Sequence, residues 1–372
     1  MNREKCCVLI PSLDPDEKLP AYVEELVKAR YGLILVVDDG SGPDYQPIFE
    51  RIAGWEGCRV LHHEVNRGKG AALRTGYDYI LKHTDFEGVI TADSDGQHTV
   101  ADTALLAEKL DGGKAELLLG SRDFSRHSTQ VPPKSRFGNR LTSAIFTLLY
   151  GHWLPDTQTG LRGMGRAMLG DCLQITGDRF EYEMNQLIWC ARHNIPMTVV
   201  PIETVYHNEN QGTHFHPIRD SWRIYKLILG NFFRFMSASL ICFLVDFILF
   251  TLLKHIPALA QLELDTPWLH ALSRSPEAIL LATGIARVCS ASLNFILNKS
   301  VVFNIKQCRG AVWRYILLCV AVMAVSAITV SALHVVTGIE SSVIKLVVDL
   351  LLFIANYRIQ KAWVFAQPKG EQ

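Results

Sequence analysis

The segment 93–98, with the sequence DSDGQH, carries the residues of this chain that are best suited to chemistry. It directly follows the apolar run 88–92, which is typical of a buried strand. Asp93, Asp95 and Gln97 supply two carboxylates and an amide oxygen at alternating positions, the hard oxygen ligands that Mg²⁺ or Mn²⁺ prefers. Asp and Gly are also common in solvated turns. The segment therefore predicts either a divalent metal site that could hold a diphosphate or an acidic turn.

A second polar segment, 38–41, follows the apolar run 33–37. Its paired acids, Asp38 and Asp39, could accept hydrogen bonds from a nucleobase N–H group and from ribose hydroxyls. An Asp-Gly pair is a common turn in its own right. The segment thus indicates a nucleotide contact only in combination with other motifs.

A glycine-rich segment, 66–76, could hold an anion. Its sequence, NRGKGAALRTG, places glycines before a predicted helix, so that backbone N–H groups at the positive helix end can approach a phosphate. Lys69 or Arg74 could add positive charge. The segment is not a Walker loop, because Gly70 rather than Ser or Thr follows Lys69.

The elements around these segments alternate between short apolar runs and helical patterns. Such alternation predicts right-handed crossovers and a mostly parallel sheet with helices on both faces. Ligands of such sheets bind at the carboxyl ends of the strands, where all three segments fall. The predicted strands are 6–10, 33–37, 59–62 and 89–92, and the predicted helices are 17–29, 45–52 and 69–81.

The charge and cysteine content exclude some classes of function. The 37 basic and 37 acidic residues give a net charge of zero, whereas binding of nucleic acid normally needs a basic face. The nine cysteines form no Cys-x-x-Cys pair or Cys/His ligand spacing, which indicates reduced thiols facing a cytosol. The apolar run 6–10 is too short for a signal peptide, so we expect the soluble part in the cytoplasm.

Beyond about residue 230 the chain becomes apolar in four blocks. Each is near the roughly 20 residues that span a bilayer. The loop 299–314 contains four basic residues and no acid, and the tail after 357 is basic, whereas the loop 254–277 has two cations. The positive-inside rule then places both termini in the cytoplasm. The predicted spans are 235–253, 278–297, 315–336 and 339–355.

Two further stretches have amphipathic helical patterns. The first, 136–151, has an apolar stripe that would face either the domain core or a membrane. The second, 217–231, combines basic and apolar residues just before the first span, which is typical of a helix that lies in the headgroup plane.

The apolar half contains an internal echo. Residues 293–303 parallel residues 355–365, as two duplicated transmembrane hairpins would. Charged residues inside predicted spans normally pair or line a polar path. We expect Asp246 to pair with Arg287 and Lys345 with Asp349, the alternative being a direct role in handling a lipid phosphate.

The three polar segments, in this order, resemble those of the family 2 glycosyltransferases, and the acidic segment with Gln97 and His98 is most similar to the polyprenyl-phosphate branch. Further matches are GSR at 120–122, SRFGNR at 135–140 and DTQTGLR at 156–162. One departure is PSLDP at 11–15, where relatives carry Pro-x-x-Asn-Glu. The apolar half resembles the GtrA-like membrane domain.

The resemblance implies an α/β GT-A fold, with a Rossmann-like, mostly parallel sheet, joined to an all-α four-helix transmembrane domain. The implied boundaries are 1–215 for the catalytic domain, 216–232 for an interface helix and 233–372 for the membrane domain.

The resemblance also implies roles for individual residues. Asp39 would contact the base or ribose, and Arg122 and Arg136 would bind phosphate through planar guanidinium groups. The implied catalytic residues are Asp93, Asp95, Arg122 and Arg136, and the implied metal ligands are Asp93, Asp95 and Gln97. The implied substrate-binding residues are Pro11, Asp38, Asp39, Asn66, Lys69, Gly70, Arg74, Asp93, Ser135 and Asn139.

The function that the resemblance implies is metal-dependent, inverting transfer of a sugar from a nucleotide-diphosphate sugar, with UDP favoured, to a polyprenyl phosphate such as undecaprenyl phosphate. Mg²⁺ or Mn²⁺ would be the cofactor, and the protein would be a multi-pass protein of the cytoplasmic membrane, with a homo-oligomer left open. One alternative is a transferase with a hydroxyl acceptor, which needs a base near Glu181 or Glu183, for which we favour a structural role. The other is a carrier or flippase of the lipid-linked sugar.

Overall fold

The computed structural model describes residues 1–122, 133–203, 217–253, 276–305 and 310–365. Side chains are described throughout these ranges except at 133–135, 217–224, 276–282 and 341–342. The chain divides into two compact units, Met1–Ile228 and Leu229–Gln372. The domain boundaries predicted from the sequence, at 215 and 232, stay a prediction.

The N-terminal unit is built on one seven-stranded sheet with the strand order β3-β2-β1-β4-β6-β5-β7. Only β6 runs antiparallel, and it pairs with β4 on one side and β5 on the other. The predicted mostly parallel sheet is therefore confirmed. The strands are β1 (Cys6–Ser12), β2 (Leu33–Asp38), β3 (Cys58–His62), β4 (Gly88–Thr91), β5 (Leu117–Ser121), β6 (Arg162–Gly165) and β7 (Met197–Pro201).

Helices cover the sheet between the strands. The first three agree with the helices predicted from the sequence to within two residues, and α5 corresponds to the predicted amphipathic stretch 136–151. The helices are α1 (Lys18–Lys28), α2 (Gln46–Ala53), α3 (Lys69–His83), α4 (Val100–Lys109), α5 (Pro133–Tyr150), α6 (Arg166–Gln174) and α7 (Glu181–His193).

The core of this unit forms because its central strands are apolar on both faces. Every residue of β1 and β4 is buried, as expected for strands with helices packed on both sides. Strand β1 lies between β2 and β4, so the chain leaves the sheet in opposite directions on either side of it. Ligands of open α/β sheets bind at such a switch point.

Much of the apolar stripe of α5 does not face the core. Phe137 is 70% exposed, and Leu141 and Leu148 are also exposed, whereas Phe146 and Leu149 are buried. The stripe thus leaves an apolar surface on the N-terminal unit, which favours the membrane-facing alternative over the core-facing one.

The C-terminal unit is helical, as predicted. Its helices are α8 (Pro217–Leu253, which begins in the first unit), α9 (Pro276–Leu297), α10 (Ala311–Thr337) and α11 (Ser341–Ile359). By length and composition, two stretches among the described residues could cross a membrane, Tyr225–Leu253 and Ala311–Thr337, with mean hydropathies of 2.3 and 2.6. The prediction of four membrane spans remains a prediction.

The start of α8 differs from the sequence-based expectation. A headgroup-plane helix at 217–231 and a separate span from 235 were expected, but α8 continues without a break from Pro217 to Leu253. The helix contains no proline after Pro217, and its one glycine, Gly230, costs a helix only about 1 kcal/mol. The two predicted elements are therefore one helix.

The two copies of the internal echo have the same structure. Each ends in a π-helical turn, Asn298–Val302 and Gln360–Val364. The side-chain amide of Asn298 donates to Asn294 in its own copy and to Gln360 Oε1 in the other copy, at 3.0 Å. The second hydrogen bond connects the two copies. The expected duplication is thus visible as two equivalent helix ends joined by buried amides.

The charged pairs expected within the apolar helices are confirmed. Arg287 Nη2 lies 3.7 Å from Asp246 Oδ2, and Lys345 Nζ lies 2.8 Å from Asp349 Oδ2. A serine of the neighbouring helix donates to each carboxylate, Ser290 to Asp246 and Ser326 to Asp349. Such bonds between helices are typical of polar groups in a membrane domain.

Candidate functional site

Asp93 lies just beyond β4, where two groups of the chain approach its carboxylate. Lys69 Nζ is 2.6 Å from Asp93 Oδ1, and His98 Nε2 is 3.5 Å from Asp93 Oδ2. The Asp93 side chain is 28% exposed, so it remains open to solvent on one side. The structure thus brings together the acidic segment and the glycine-rich segment, as the sequence predicted.

The two carboxylates of the acidic segment differ in their electrostatics. Burial disfavours ionisation of Asp93, but Lys69 and His98 outweigh it and hold the pKa of Asp93 well below its ordinary range. Burial, together with the negative charge of Asp93, raises the pKa of Asp95 above its ordinary value. Excess negative charge at this segment is what a bound cation would neutralise.

Gly160 makes room for the Asp93 carboxylate. A Cβ atom built on Gly160 would collide with Asp93 Oδ2, Oδ1 and Cγ. The carbonyl of Gly160 accepts a hydrogen bond of 2.8 Å from the Thr91 hydroxyl, which fixes this backbone against the end of β4. The glycine of the DTQTGLR motif therefore allows the backbone of this motif to lie close to the Asp93 carboxylate.

Lys69 opens α3 and forms a second ion pair with Glu183. Its Nζ is 3.0 Å from Glu183 Oε1, and the lysine and glutamate side chains are 17% and 10% exposed. Burial disfavours the ammonium, but Asp93 and Glu183 outweigh it and raise the pKa of Lys69 above its ordinary value. Lys69 is thus a buried cation shared by two carboxylates.

Two glycines permit this start of α3. Gly68, the N-cap residue, has a φ of 101°, which disfavours any residue with a Cβ. Gly70 packs so closely that a Cβ would collide with Tyr182 and with the carbonyl of Gly177. The glycines predicted as anion contacts therefore also allow close packing against the start of α7.

Arg162 forms a part of the site that sequence reasoning did not assign, and it contacts the backbone of Glu183, for which we favoured a structural role. Arg162 is almost fully buried, and its guanidinium donates to Thr159 O at 2.9 Å, to Glu183 O at 2.8 Å and to Gln186 Oε1 at 2.8 Å. It joins β6 to α7 beneath Glu183. The only signal in the sequence was the arginine that ends the DTQTGLR motif.

Asp39 is buried, and its carboxylate braces the glycine-rich segment. It accepts hydrogen bonds from the backbone N–H of Arg67 at 3.0 Å and Gly68 at 2.7 Å. Its third partner is His63 Nδ1 at 2.7 Å, and His63 Nε2 lies 2.9 Å from Thr75 Oγ1. The structure thus places Asp39 as a brace for the start of α3, and its expected contact with a base or ribose stays a prediction.

Asp38 is buried beside it and has a similar bracing role. Its carboxylate accepts hydrogen bonds from the Ser41 backbone at 2.8 Å, from His62 at 2.9 Å and from Gln46 at 3.4 Å. Burial opposes ionisation, but these bonds outweigh it and lower the pKa of Asp38. Asp38 therefore fixes the turn after β2 as an anion.

Arg122 is held in place by Asp156. Nε and Nη2 of Arg122 lie 2.7 and 3.1 Å from the two carboxylate oxygens of Asp156, a bidentate arrangement. The buried Asn139 contacts the same DTQTGLR motif, since Asn139 Oδ1 accepts a hydrogen bond from the Thr157 N–H at 3.1 Å. Both residues organise the segment that contains Gly160.

The remaining predicted residues fall into three groups. Arg74 donates to the carbonyls of Ile175 and Gly177 and pairs with Asp178, so its contacts hold the loop before α7. Pro11 is buried at the end of β1, Asn66 is exposed and Arg136 is half-buried near the start of α5. The Ser135 side chain lies outside the described residues.

A divalent ion fits the donor set of the acidic segment. Asp93, Asp95 and Gln97 offer oxygen atoms, as Mg²⁺ and Mn²⁺ require. Within the described ranges, no group of three or more His, Cys, Asp or Glu residues could hold a metal by itself. Phosphate or water oxygens would therefore complete the coordination shell, as is usual for Mg²⁺. This ligand set stays a prediction.

Two protein families match the two parts of this chain. Residues 7–173 match the family described as Glycosyl transferase family 2, and residues 234–365 match the family described as GtrA/DPMS, transmembrane domain. The first match ends beyond the DTQTGLR motif, and the second covers both copies of the internal echo.

Several curated proteins are similar to the N-terminal part of the chain. An uncharacterized protein of Methanocaldococcus jannaschii is 28% identical over 238 residues, which are 63% of this chain and 95% of that protein. The UDP-N-acetylglucosamine–dolichyl-phosphate N-acetylglucosaminyltransferase of Methanococcus voltae is 26% identical, over 54% of this chain and 85% of the relative. The polyprenol monophosphomannose synthase of Mycolicibacterium smegmatis is 28% identical, over 54% and 77%.

Among solved structures, the glucosyl-3-phosphoglycerate synthase of Mycobacterium tuberculosis, in complex with Mg²⁺ and UDP, is similar to this chain at a TM-score of 0.42. The sequence identity is 18%, and the match covers 60% of this chain and 78% of that one.

Proposed function

We propose that this protein transfers a sugar from a nucleotide-diphosphate sugar to a polyprenyl phosphate. The chain is a glycosyltransferase with a family 2 glycosyl transferase domain and a GtrA/DPMS transmembrane domain. The donor is a UDP-sugar and the acceptor is undecaprenyl phosphate or a related lipid. The reaction takes place at the cytoplasmic face of the membrane.

The observation that carries this proposal is the ion pair between Asp93 and Lys69 at the switch point of the sheet. Carboxylates for a metal lie at the end of β4, and a cation at the start of α3 lies 2.6 Å from one of them. The positive end of the helix dipole favours an anion at the start of α3. The arrangement suits a metal-bound diphosphate, with Asp93, Asp95 and Gln97 on one side and Lys69 on the other.

When bound, Mg²⁺ or Mn²⁺ would neutralise charge that develops on the leaving diphosphate. The residues of the chain position the donor. Lys69, at the positive end of α3, binds phosphate oxygens of the donor, and Arg122, held by Asp156, is the second cation that we propose for phosphate binding. Holding both substrates in line supplies much of the rate enhancement.

The acceptor determines how much base catalysis the reaction needs. The two named relatives above act on dolichyl phosphate and polyprenol phosphate according to their names. The second pKa of a phosphate monoester is about 6, so the group is largely ionised at pH 7. It can attack the anomeric carbon without a strong base, and one in-line displacement inverts the configuration at that carbon.

The pairing of Glu183 argues against the hydroxyl-acceptor alternative. A general base must be able to accept a proton near the operating pH. Glu183 is instead an ion-pair partner of Lys69, at 3.0 Å. A structural role for Glu183 agrees with this pairing.

The apolar surface of α5 and the apolar helices of the C-terminal unit support a site at the membrane. Phe137, Leu141 and Leu148 give the N-terminal unit an exposed apolar face of its own. An exposed stripe of this kind can insert into the headgroup region. A lipid phosphate could then reach the site while its chain stays in the bilayer.

The test is transfer of label from radioactive UDP- and GDP-sugars into the organic phase, with purified full-length protein, undecaprenyl phosphate and Mg²⁺ or Mn²⁺. We expect metal-dependent label that EDTA abolishes, and a loss of at least about a hundredfold in Asp95→Asn, as for removal of a group that stabilises charge in the transition state.

The matched control is Asp111→Asn, which removes an exposed carboxylate paired with Lys114. Its activity should equal that of the wild type. Full activity in Asp95→Asn would contradict the metal assignment. Transfer only to a hydroxyl lipid would contradict the acceptor.

A further inference from the structure

Lys69 already forms an ion pair with the Asp93 carboxylate, which a metal would use as a ligand. Its Nζ lies 2.6 Å from Asp93 Oδ1, and His98 Nε2 lies 3.5 Å from the other oxygen. Both oxygens of this expected metal ligand therefore face a nitrogen of the chain itself. The contact is internal to the N-terminal unit and mostly shielded from water.

A divalent ion on Asp93 would lie close to the Lys69 ammonium. Mg–O distances are about 2.1 Å, so an ion on the same carboxylate would be only about 5 Å from Lys69. At such a distance a double and a single positive charge repel each other enough to weaken binding about tenfold, even at the dielectric constant of water. The ion and the lysine therefore compete for Asp93.

The site offers the lysine a second position. Lys69 is the first residue of α3, where the positive end of the helix dipole favours an anion. A diphosphate at this helix start would present oxygens to the same ammonium. Glu183, 3.0 Å away and only 10% exposed, would keep the ammonium at the site after it left Asp93.

We propose that Lys69 is a resident counter-ion that makes metal binding depend on the diphosphate. Without nucleotide, Lys69 neutralises Asp93 and holds the metal affinity low. With nucleotide, Lys69 contacts a donor phosphate and leaves Asp93 to the metal. The inference rests on the proposed function, because it takes Asp93 as a metal ligand.

Two consequences follow for binding. Nucleotide and metal should bind with positive coupling, and the coupling must be reciprocal, so that each ligand raises the affinity of the other by the same factor. The enzyme should also take up the metal mainly as a metal–nucleotide complex, with little bound to the empty site.

The test measures Mn²⁺ binding to full-length protein in detergent by the electron paramagnetic resonance signal of free Mn²⁺, without nucleotide and with saturating UDP or GDP. We expect Mn²⁺ alone to bind Lys69→Gln about tenfold or more tightly than the wild type. Nucleotide should raise the Mn²⁺ affinity of the wild type by a larger factor than that of Lys69→Gln.

The matched control is Lys82→Gln, which removes an exposed lysine from the last turn of the same helix, where it pairs with Asp78. It should bind Mn²⁺ as the wild type does. Because Lys69→Gln leaves Glu183 without its partner, the double variant Lys69→Gln/Glu183→Gln removes both charges of this pair and should also bind Mn²⁺ alone more tightly than Glu183→Gln does.

Equal Mn²⁺ affinities in wild type and Lys69→Gln, with equal effects of nucleotide, would overturn the inference and leave the proposed transfer reaction intact. Mn²⁺ binding that is insensitive to Asp93→Asn, or absent from every variant with and without nucleotide, would instead overturn the metal assignment, and the inference with it.

Discussion

Gly160 shows how a residue without a side chain can determine the geometry of the site. Its backbone is tied to the end of β4 by the Thr91 hydroxyl, and Asp93 occupies the space where a Cβ would be. Thr91 cannot move easily, because it belongs to a fully buried strand. A methyl group at 160 must therefore displace the Asp93 carboxylate.

We predict that Gly160→Ala lowers transferase activity by about a hundredfold, the scale of loss expected for a misplacement of about 1 Å. The measurement is the rate of transfer, with the thermal midpoint of unfolding recorded in parallel. Gly163→Ala is the matched control, because a Cβ there meets Leu118 only at ordinary contact distances of 3.4 and 3.5 Å. Equal activities of the two variants would contradict this role of Gly160.

At the residue scale, the sequence identified single segments but not the partners that lie far along the chain. Asp93, Lys69 and Asp39 stand in motifs whose composition already indicated charge and tight turns. Glu183 pairs with Lys69 from more than a hundred residues away, and no local pattern indicates such a pair. The ligand contact of Asp39 stays a prediction, and the sequence did not indicate that its oxygens accept hydrogen bonds from Arg67, Gly68 and His63.

At the element scale, the start of α3 depends on contacts that reach across β2, β3 and the helix itself. Thr75 contacts His63, His63 contacts Asp39, and Asp39 binds the N–H groups of the two residues before Lys69. This series of hydrogen bonds fixes the backbone from which Lys69 extends. His63 is a positioning residue in this arrangement, since it acts through Asp39.

We predict that His63→Leu raises the KM for the donor about five- to tenfold and changes kcat less, because a loosened helix start weakens donor binding in the ground state and the transition state alike. Asn in place of His63 can still donate to Asp39 and should restore part of the affinity. His83→Leu, an exposed change in the last turn of α3, is the control and should leave KM unchanged. A drop in kcat alone would contradict the positioning role.

The strands that were predicted and those that were missed differ in a physical way. β1, β2 and β4 are apolar runs that end at turn residues, so their pattern is visible locally. β6 has the sequence RGMG and no apolar pattern, and it becomes a strand because it pairs between β4 and β5. Long-range pairing of this kind overrides local propensity, which is why β6 was not predicted.

At the scale of the whole molecule, the duplication in the C-terminal unit gives the chain a repeated helical end. Asn298 and Gln360 occupy equivalent positions, both are buried, and they bond each other at 3.0 Å. Buried amides in apolar surroundings are stable when they are paired. The repeat could be predicted because both copies retain the same polar positions, whereas the contact between the copies is visible only in the structure.

The charges of this unit predict its orientation in the membrane. The basic segment 299–314 lies before and in the first turn of α10, and the basic residue Arg358 lies in the last turn of α11. The turn between the two helices, Gly338 to Glu340, has no cation and is exposed. The positive-inside rule therefore predicts that this turn lies on the side opposite to the cytoplasm.

We predict that a cysteine introduced as Ile339→Cys reacts with a membrane-impermeant maleimide in intact cells, because Ile339 is half exposed in this turn. A cysteine introduced as Trp313→Cys, in the first turn of α10, is also exposed but should react only after the membrane is made permeable. Labelling of the wild type gives the background from the native thiols. The reverse pattern would place the termini outside the cytoplasm, away from the nucleotide sugar that the proposed reaction needs. Labelling of both positions from one side would mean that α10 does not span the bilayer. Because the proposed donor is a cytoplasmic nucleotide sugar, the predicted pattern is the one in which the catalytic unit and its donor share a compartment.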